Sequence, residues 1–136
     1  MSPFATFFLT QIRRDFADWM THLSAHPKAS CPIQILVPSP ADPQERLQIV
    51  INEHDEICVY FGPHLRIYGF AEQTDQEIYE EFRIEALRFV REEIVLAIKR
   101  ENGRWKGSMF LELHERLEQR DHWNEMWSWL GTYTIK

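Results

Sequence analysis

A chain of 136 residues, 44% of them hydrophobic and 13% aromatic, has the length of one domain and enough apolar material for a core, which excludes wholesale disorder. Fifteen Lys and Arg stand against 21 Asp and Glu, a formal charge of −6. That balance is unsuited to holding a nucleic-acid phosphate backbone, and it suits a soluble protein or one whose partner is basic.

The first helix is announced by Ser2 and Pro3, an N-cap followed by a first-turn proline. Phe4, Phe8, Ile12, Phe16, Trp19, Met20 and Leu23 then recur at intervals of three and four, which predicts an amphipathic helix over residues 1–26 that ends before His26 and Pro27. A helix lying on a membrane surface would have Lys and Arg along its polar face. Here the charges are mixed, so the apolar stripe is expected to face the core. The apolar residues 4–9 are followed, not preceded, by Arg13 and Arg14, the reverse of a secretory signal. No stretch reaches the roughly 20 apolar residues of a membrane span. Cys31 and Cys58 lie far apart with no Cys-x-x-Cys, which fits reduced thiols and a cytoplasmic location.

Five of the seven prolines (Pro27, Pro32, Pro38, Pro40 and Pro43) fall between the helix and the next apolar runs. They predict a surface loop over 27–46 with at most an edge strand at 33–37. Three strands follow, with Leu47, Ile49 and Ile51 alternating in the first, Ile57, Val59 and Phe61 in the second, and Leu65 and Ile67 in the third. The short connections at residues 53–56 and at Gly62 and Pro63 make them antiparallel neighbours. Tyr60, Arg66, Tyr68 and Phe70 are assigned to the second face, which is then more aromatic than solvent requires.

Residues 75–107 organise the rest. Asp75, after Thr74, is read as the cap of a helix whose apolar positions are Ile78, Phe82, Ala86 and Phe89 or Val90. The β-branched run 94–98, the dipeptide Asn102 and Gly103, and residues 105–111 predict a hairpin with a type I′ turn. A short charged helix over 112–121, carrying Leu113 and Leu117, and a last strand over 127–135 complete the chain. The fold is expected to be a single α+β domain over 1–136, with residues 47–136 forming a mainly antiparallel sheet of about six strands around a central helix. The order is α-β-β-β-α-β-β-α-β.

The sequence holds no Gly-rich phosphate loop, no Gly-x-Ser-x-Gly turn and no cysteine with an evident histidine partner, so no catalytic residue is assigned. His114 and Glu115 open a zinc-protease-like spacing, but Glu118 stands where the second histidine belongs, so no metal or cofactor is expected. His64 follows a tight turn and leads into Arg66 and Tyr68, a candidate pocket for a small ligand or an enzyme site if a carboxylate orients the imidazole. The acidic residues are the stronger lead. Glu72, Asp75, Glu77, Glu80, Glu81 and Glu85 gather around the start of the central helix, and Glu53, Asp55 and Glu56 at a hairpin tip. The helix dipole favours the first group by itself, and a docking surface for a basic protein would use the same charges.

The run Tyr60, Phe61, Gly62, Pro63 and His64 with Gly69 and Phe70, residues 86–90 on a helix, the segment 102–108, and Ser128, Trp129, Leu130, Gly131, Thr132 and Tyr133 together resemble small bacterial immunity proteins found beside polymorphic toxins. The resemblance spans roughly residues 47–135 and leaves the first helix unmatched. It implies a cytoplasmic bacterial protein that neutralises a toxin by occlusion, without catalysis. On this reading Glu77, Glu80, Glu81, Asp55, Glu56, Tyr60, His64, Arg66 and Tyr68 form an acidic, aromatic-studded surface for a basic toxin domain. The ligand pocket at His64, Arg66 and Tyr68, and a homodimer using the exposed sheet face, are the alternatives.

Overall fold

The structure, a computed structural model, describes residues 1–25, 33–69 and 72–136. The expectations for Pro27, Cys31, Pro32 and Phe70 lie outside them. Helix α1 (Pro3–Asp15) is capped by the Ser2 hydroxyl, which accepts from Ala5 N at 3.1 Å, and it buries Phe4, Phe8 and Ile12. It ends ten residues before the expected boundary. Phe16 leaves helical geometry at φ −138° and ψ 54°, and Ala17–His22 tightens into a 3₁₀ helix. Side chains three apart eclipse one another in that geometry, and Phe16 and Trp19 accordingly stack at 4.2 Å. The apolar stripe persists while the winding changes.

Strands β1 (Leu23–Ser24), β2 (Ile33–Pro38), β3 (Arg46–Ile51), β4 (Ile57–Phe61) and β5 (His64–Tyr68) form an antiparallel sheet in chain order. The segment expected to be at most an edge strand is instead paired on both sides. Helix α2 (Asp75–Val90) follows, with Thr74 as its cap rather than Asp75. Thr74 Oγ1 accepts from Glu77 N, and the Glu77 carboxylate accepts from Thr74 N in return. Strands β6 (Ile94–Glu101) and β7 (Arg104–Glu112) are the expected hairpin, with Asn102 at φ 53° and Gly103 at φ 76°, both positive as a type I′ turn requires. Helix α3 (Glu115–Glu118) is one turn long, and β8 (Glu125–Trp127) pairs with β6 to make a second sheet of order β7-β6-β8.

The antiparallel α+β architecture is therefore as expected, but its strands divide between two sheets. The long last strand is also cut short: after Trp127 the chain turns, and only Ile135 returns to bridge Met126. Glu92 holds this turn. It sits just past α2 at φ 57°, with Glu93 N donating to the Arg88 carbonyl and Glu92 N to the Phe89 carbonyl, a Schellman ending normally given to glycine. Its buried carboxylate accepts from Thr132 Oγ1 at 2.6 Å and from Leu130 N at 3.3 Å. One core joins α1, α2, the inner face of the first sheet and Ile94, Leu96 and Ile98 of the second. A smaller cluster of Val95, Ala97, Leu111 and Met126 lies on the other face of β6 and β7.

Candidate functional site: a charged groove between α2, β5 and β7

The hairpin joining β4 and β5 decides which side chains reach the site. Its turn is only Gly62 and Pro63, so Phe61 pairs directly with His64, Val59 with Arg66 and Ile57 with Tyr68. Directly paired residues share a face. Phe61, Val59 and Ile57 are core residues, so His64, Arg66 and Tyr68 point inward with them. This reverses the expected assignment: Leu65, 43% exposed, and Ile67 face outward beside Tyr60, while Tyr68 is 1% exposed. A one-residue change of register exchanges the two faces completely.

Three polar side chains on the inner face of an edge strand need partners, and α2 and β7 supply them. Glu85, one helical turn after Glu81, accepts from Arg66 Nε at 3.2 Å and from the Tyr68 hydroxyl in a short bond. Glu81 accepts from Arg66 Nη2 at 3.3 Å and from Gln73 Nε2 at 3.0 Å. The Arg66 guanidinium lies 4.8 Å from the centre of the Tyr68 ring. Burial, reinforced by Glu85, pushes the Tyr68 phenol well above its ordinary range, so it remains a hydrogen donor. On the same face of the helix, one turn further on, Arg88 grips Glu112 of β7 with two bonds, one at 2.8 Å, and this holds the Glu112 carboxyl below its usual value.

Between these pairs lies a groove of about 410 Å³, lined by Arg66, Glu81, Ile84, Glu85, Arg88, Ile94, Phe110, Glu112 and Glu115. Its walls carry four carboxylates against two guanidiniums over an apolar floor. Close to Phe110, His64 links the sheets. Its Nδ1 is 2.7 Å from Ser108 Oγ, its ring meets Phe110 edge-on at 5.2 Å, and Ser108 Oγ accepts from Trp105 Nε1 at 3.2 Å. An indole only donates, so Ser108 Oγ accepts there and keeps both its own hydrogen and a second lone pair for the contact with His64 Nδ1. Burial lowers the His64 pKa, with Glu85 opposing and Arg66 assisting. Among the described residues no carboxylate bonds the other ring nitrogen, so the serine–histidine contact lacks the orienting group of a hydrolytic triad. The described residues also bring no three His, Cys, Asp or Glu side chains together in a way that could hold a metal ion.

Of the residues singled out from the sequence, Glu81, Arg66 and Tyr68 converge at this groove and His64 borders it. Glu77 is engaged in capping α2, and Glu80 pairs with Arg83 at 2.9 Å. At the β3–β4 turn Asp55 accepts from Ser2 Oγ at 2.7 Å, and Glu56 from Asn52 Nδ2 at 2.8 Å. This turn and the start of α2 are neighbours, since a Cβ on Gly69 would lie 3.7 Å from the Asp55 carbonyl and 3.6 Å from Ile78 Cδ1. Tyr60 stands on the opposite face of the sheet. From the sequence Glu85 is only one of the helix carboxylates and Glu115 only part of the incomplete zinc-protease-like spacing, and Arg88, Ser108, Phe110 and Glu112 carry no signal of a site. The hairpin parity was the readable signal for Glu85. The pairing of α2 with β7 left no local trace. A second cavity, bordered by Ser39, Gly62 and Trp129, encloses only about 10 Å³, about the space of one water. No helix among the described residues is long and apolar enough to cross a membrane. Comparison with protein-family models, with curated proteins and with solved structures gave no match.

Proposed function

We propose that this is a non-enzymatic binding protein of the immunity type, which neutralises a basic protein domain by covering it, and that the groove between α2, β5 and β7 receives cationic side chains of that partner. The observation that carries the reading is the groove's make-up: Glu81, Glu85, Glu112 and Glu115 against Arg66 and Arg88, over Ile84, Ile94 and Phe110. Rim carboxylates steer a basic partner and choose it, while the apolar floor supplies desolvated contact once it has docked. Each guanidinium is already paired within the protein, so an incoming Arg or Lys meets carboxylates whose geometry is set beforehand.

The test is capture of a partner from lysate of the source organism, with wild-type protein and with a Glu81→Lys/Glu115→Lys variant. One basic partner retained by the wild type at low salt, weakened by salt and lost from the variant, supports the reading. Undiminished capture by a folded variant overturns it. A second reading, a small-ligand or enzyme site, is favoured by Arg66 lining, and His64 bordering through Phe110, a volume within the range of ligand pockets, about 300 to 1,000 Å³. Its test is a thermal-shift screen of small molecules, in which a stabilising ligand should lose its effect in His64→Ala.

A further inference from the structure

The charged groove divides into two walls of the same make-up. On the α2 side Glu81 and Glu85 share one guanidinium, that of Arg66, which donates Nε to Glu85 at 3.2 Å and Nη2 to Glu81 at 3.3 Å. On the β7 side Glu112 accepts from both Nη nitrogens of Arg88. Beside it Glu115, paired with no guanidinium among the described residues, accepts from Glu112 N at 3.1 Å. Each wall therefore sets two carboxylates against one guanidinium, a formal surplus of one negative charge apiece. Arg66 also shows how this chain seats such a group, with two carboxylates at its N–H edge and the Tyr68 ring centre 4.8 Å from Cζ. The same parts, two carboxylates and a ring, recur in the groove at Glu112, Glu115 and Phe110.

We infer that the cation this groove takes is a guanidinium, the side chain of an arginine, and that lysine is discriminated against. The inference rests on the reading of the groove as the seat of a basic partner and names the group recognised. A guanidinium is planar and weakly hydrated, and its fork of N–H donors meets carboxylate oxygens along the edge while its face lies on an aromatic or apolar floor. An ammonium is a compact, strongly hydrated point charge, and Phe110, Ile84 and Ile94 offer nothing to replace its water. Both cations already seated in the walls are arginines, each held through two N–H groups. The surplus of carboxylates turns an anionic ligand away.

Amide-resolved NMR titration of the full chain with three capped tripeptides tests this. Glycine flanks arginine in the first, lysine in the second and citrulline in the third, whose urea keeps the planar shape without the charge. The arginine peptide is expected to shift the amides of Ile84, Phe110 and Glu115, with a Kd on the order of 1 mM. The lysine peptide should bind at least about fivefold more weakly, and the citrulline peptide should leave the groove unshifted. Glu115→Gln, which keeps an oxygen for Glu112 N, and separately Glu81→Gln should each weaken the arginine peptide several-fold. Equal binding of arginine and lysine overturns the inference and leaves the reading of an acidic groove in place. Equal binding of arginine and citrulline overturns both. Shifts that ignore both substitutions, or no shift at the groove with any peptide, overturn the inference, and capture of a basic partner then decides the reading alone.

Discussion

Glu85 is the side chain on which the inward turn of β5 depends, and its removal has a calculable cost. It accepts from the hydroxyl of Tyr68, which is 1% exposed, and from Arg66. Truncation to alanine leaves a buried phenol without an acceptor, at about 1–3 kcal/mol. The Arg66 pair adds little, about 0–1 kcal/mol, because the two side chains are 38% and 26% exposed and water replaces the lost contact. Glu85→Ala should therefore destabilise by about 2–3 kcal/mol. Tyr68→Phe removes the donor and keeps the ring, at about 1 kcal/mol. In that background there is no phenol left to orphan, so Glu85→Ala should cost under about 1 kcal/mol. Urea unfolding of the four proteins gives the coupling energy, expected at about 1–2 kcal/mol. Additive losses would refute the argument that Glu85 is what makes an inward Tyr68 tolerable.

Other perturbations probe separate parts of the structure. At Glu92, glycine relieves the left-handed backbone by about 1 kcal/mol while losing both hydrogen bonds, so in chemical denaturation Glu92→Gly should be less damaging than Glu92→Ala by about that amount. Gly62→Ala should cost at least about 2 kcal/mol in the same assay, since residue 62 has φ +57° and a Cβ there would lie 2.1 Å from Trp127 Cζ3. Asp15, bonded first by Arg14 and then by the Tyr79 hydroxyl at 2.7 Å, has its carboxyl held at about 2 against an ordinary 3.8. Its depressed value means that its contribution is complete above pH 3.8 and fades as pH falls toward 2. Asp15→Asn should flatten thermal stability across that interval by about 1 kcal/mol after screening. The depressed His64 value acts in the same sense in a higher window, below the ordinary 6.5. Thermal melts of His64→Gln should lose less stability than wild type as pH falls from about 6.5.

Much of this architecture was legible locally. The Asn102–Gly103 turn, the periodicity of Ile78, Phe82, Ala86 and Phe89, and the alternation in β3 and β4 each report a short-range preference that the fold keeps. The failures have physical causes. The stripe from Phe16 to Leu23 fits both an α-helix and a 3₁₀ helix, and the stacking of Phe16 on Trp19 favours the tighter winding. Residues 127–135 have strand propensity, but the Glu92 carboxylate bonds the backbone of Leu130 and the hydroxyl of Thr132, and the segment becomes a turn. The candidate site was half visible. Arg66 and Tyr68 read as a second, solvent-side face because apolar Leu65 and Ile67 resemble a core row. Only the parity of the two-residue turn assigns them inward, and their partners Glu81 and Glu85 come from a separate element, α2.

The contact of Ser39 with residue 129 concerns the order in which the molecule is made. Ser39 Oγ donates to the Trp129 carbonyl at 2.6 Å across 90 positions, and Lys136 reaches Asp42 at 3.3 Å across 94. The five strands from Leu23 to Tyr68 pair only with sequence neighbours, so this meander is synthesised, and is able to pair, well before the residues that seal its open end exist. Its Phe61 and Leu47 are left without the cover of Trp127 and Trp129 through that interval. Loop closure over such separations is slow and costs entropy before it is rewarded. A nascent chain stalled before residue 127 should therefore be the form that chaperones and proteases recognise, while the released protein escapes both.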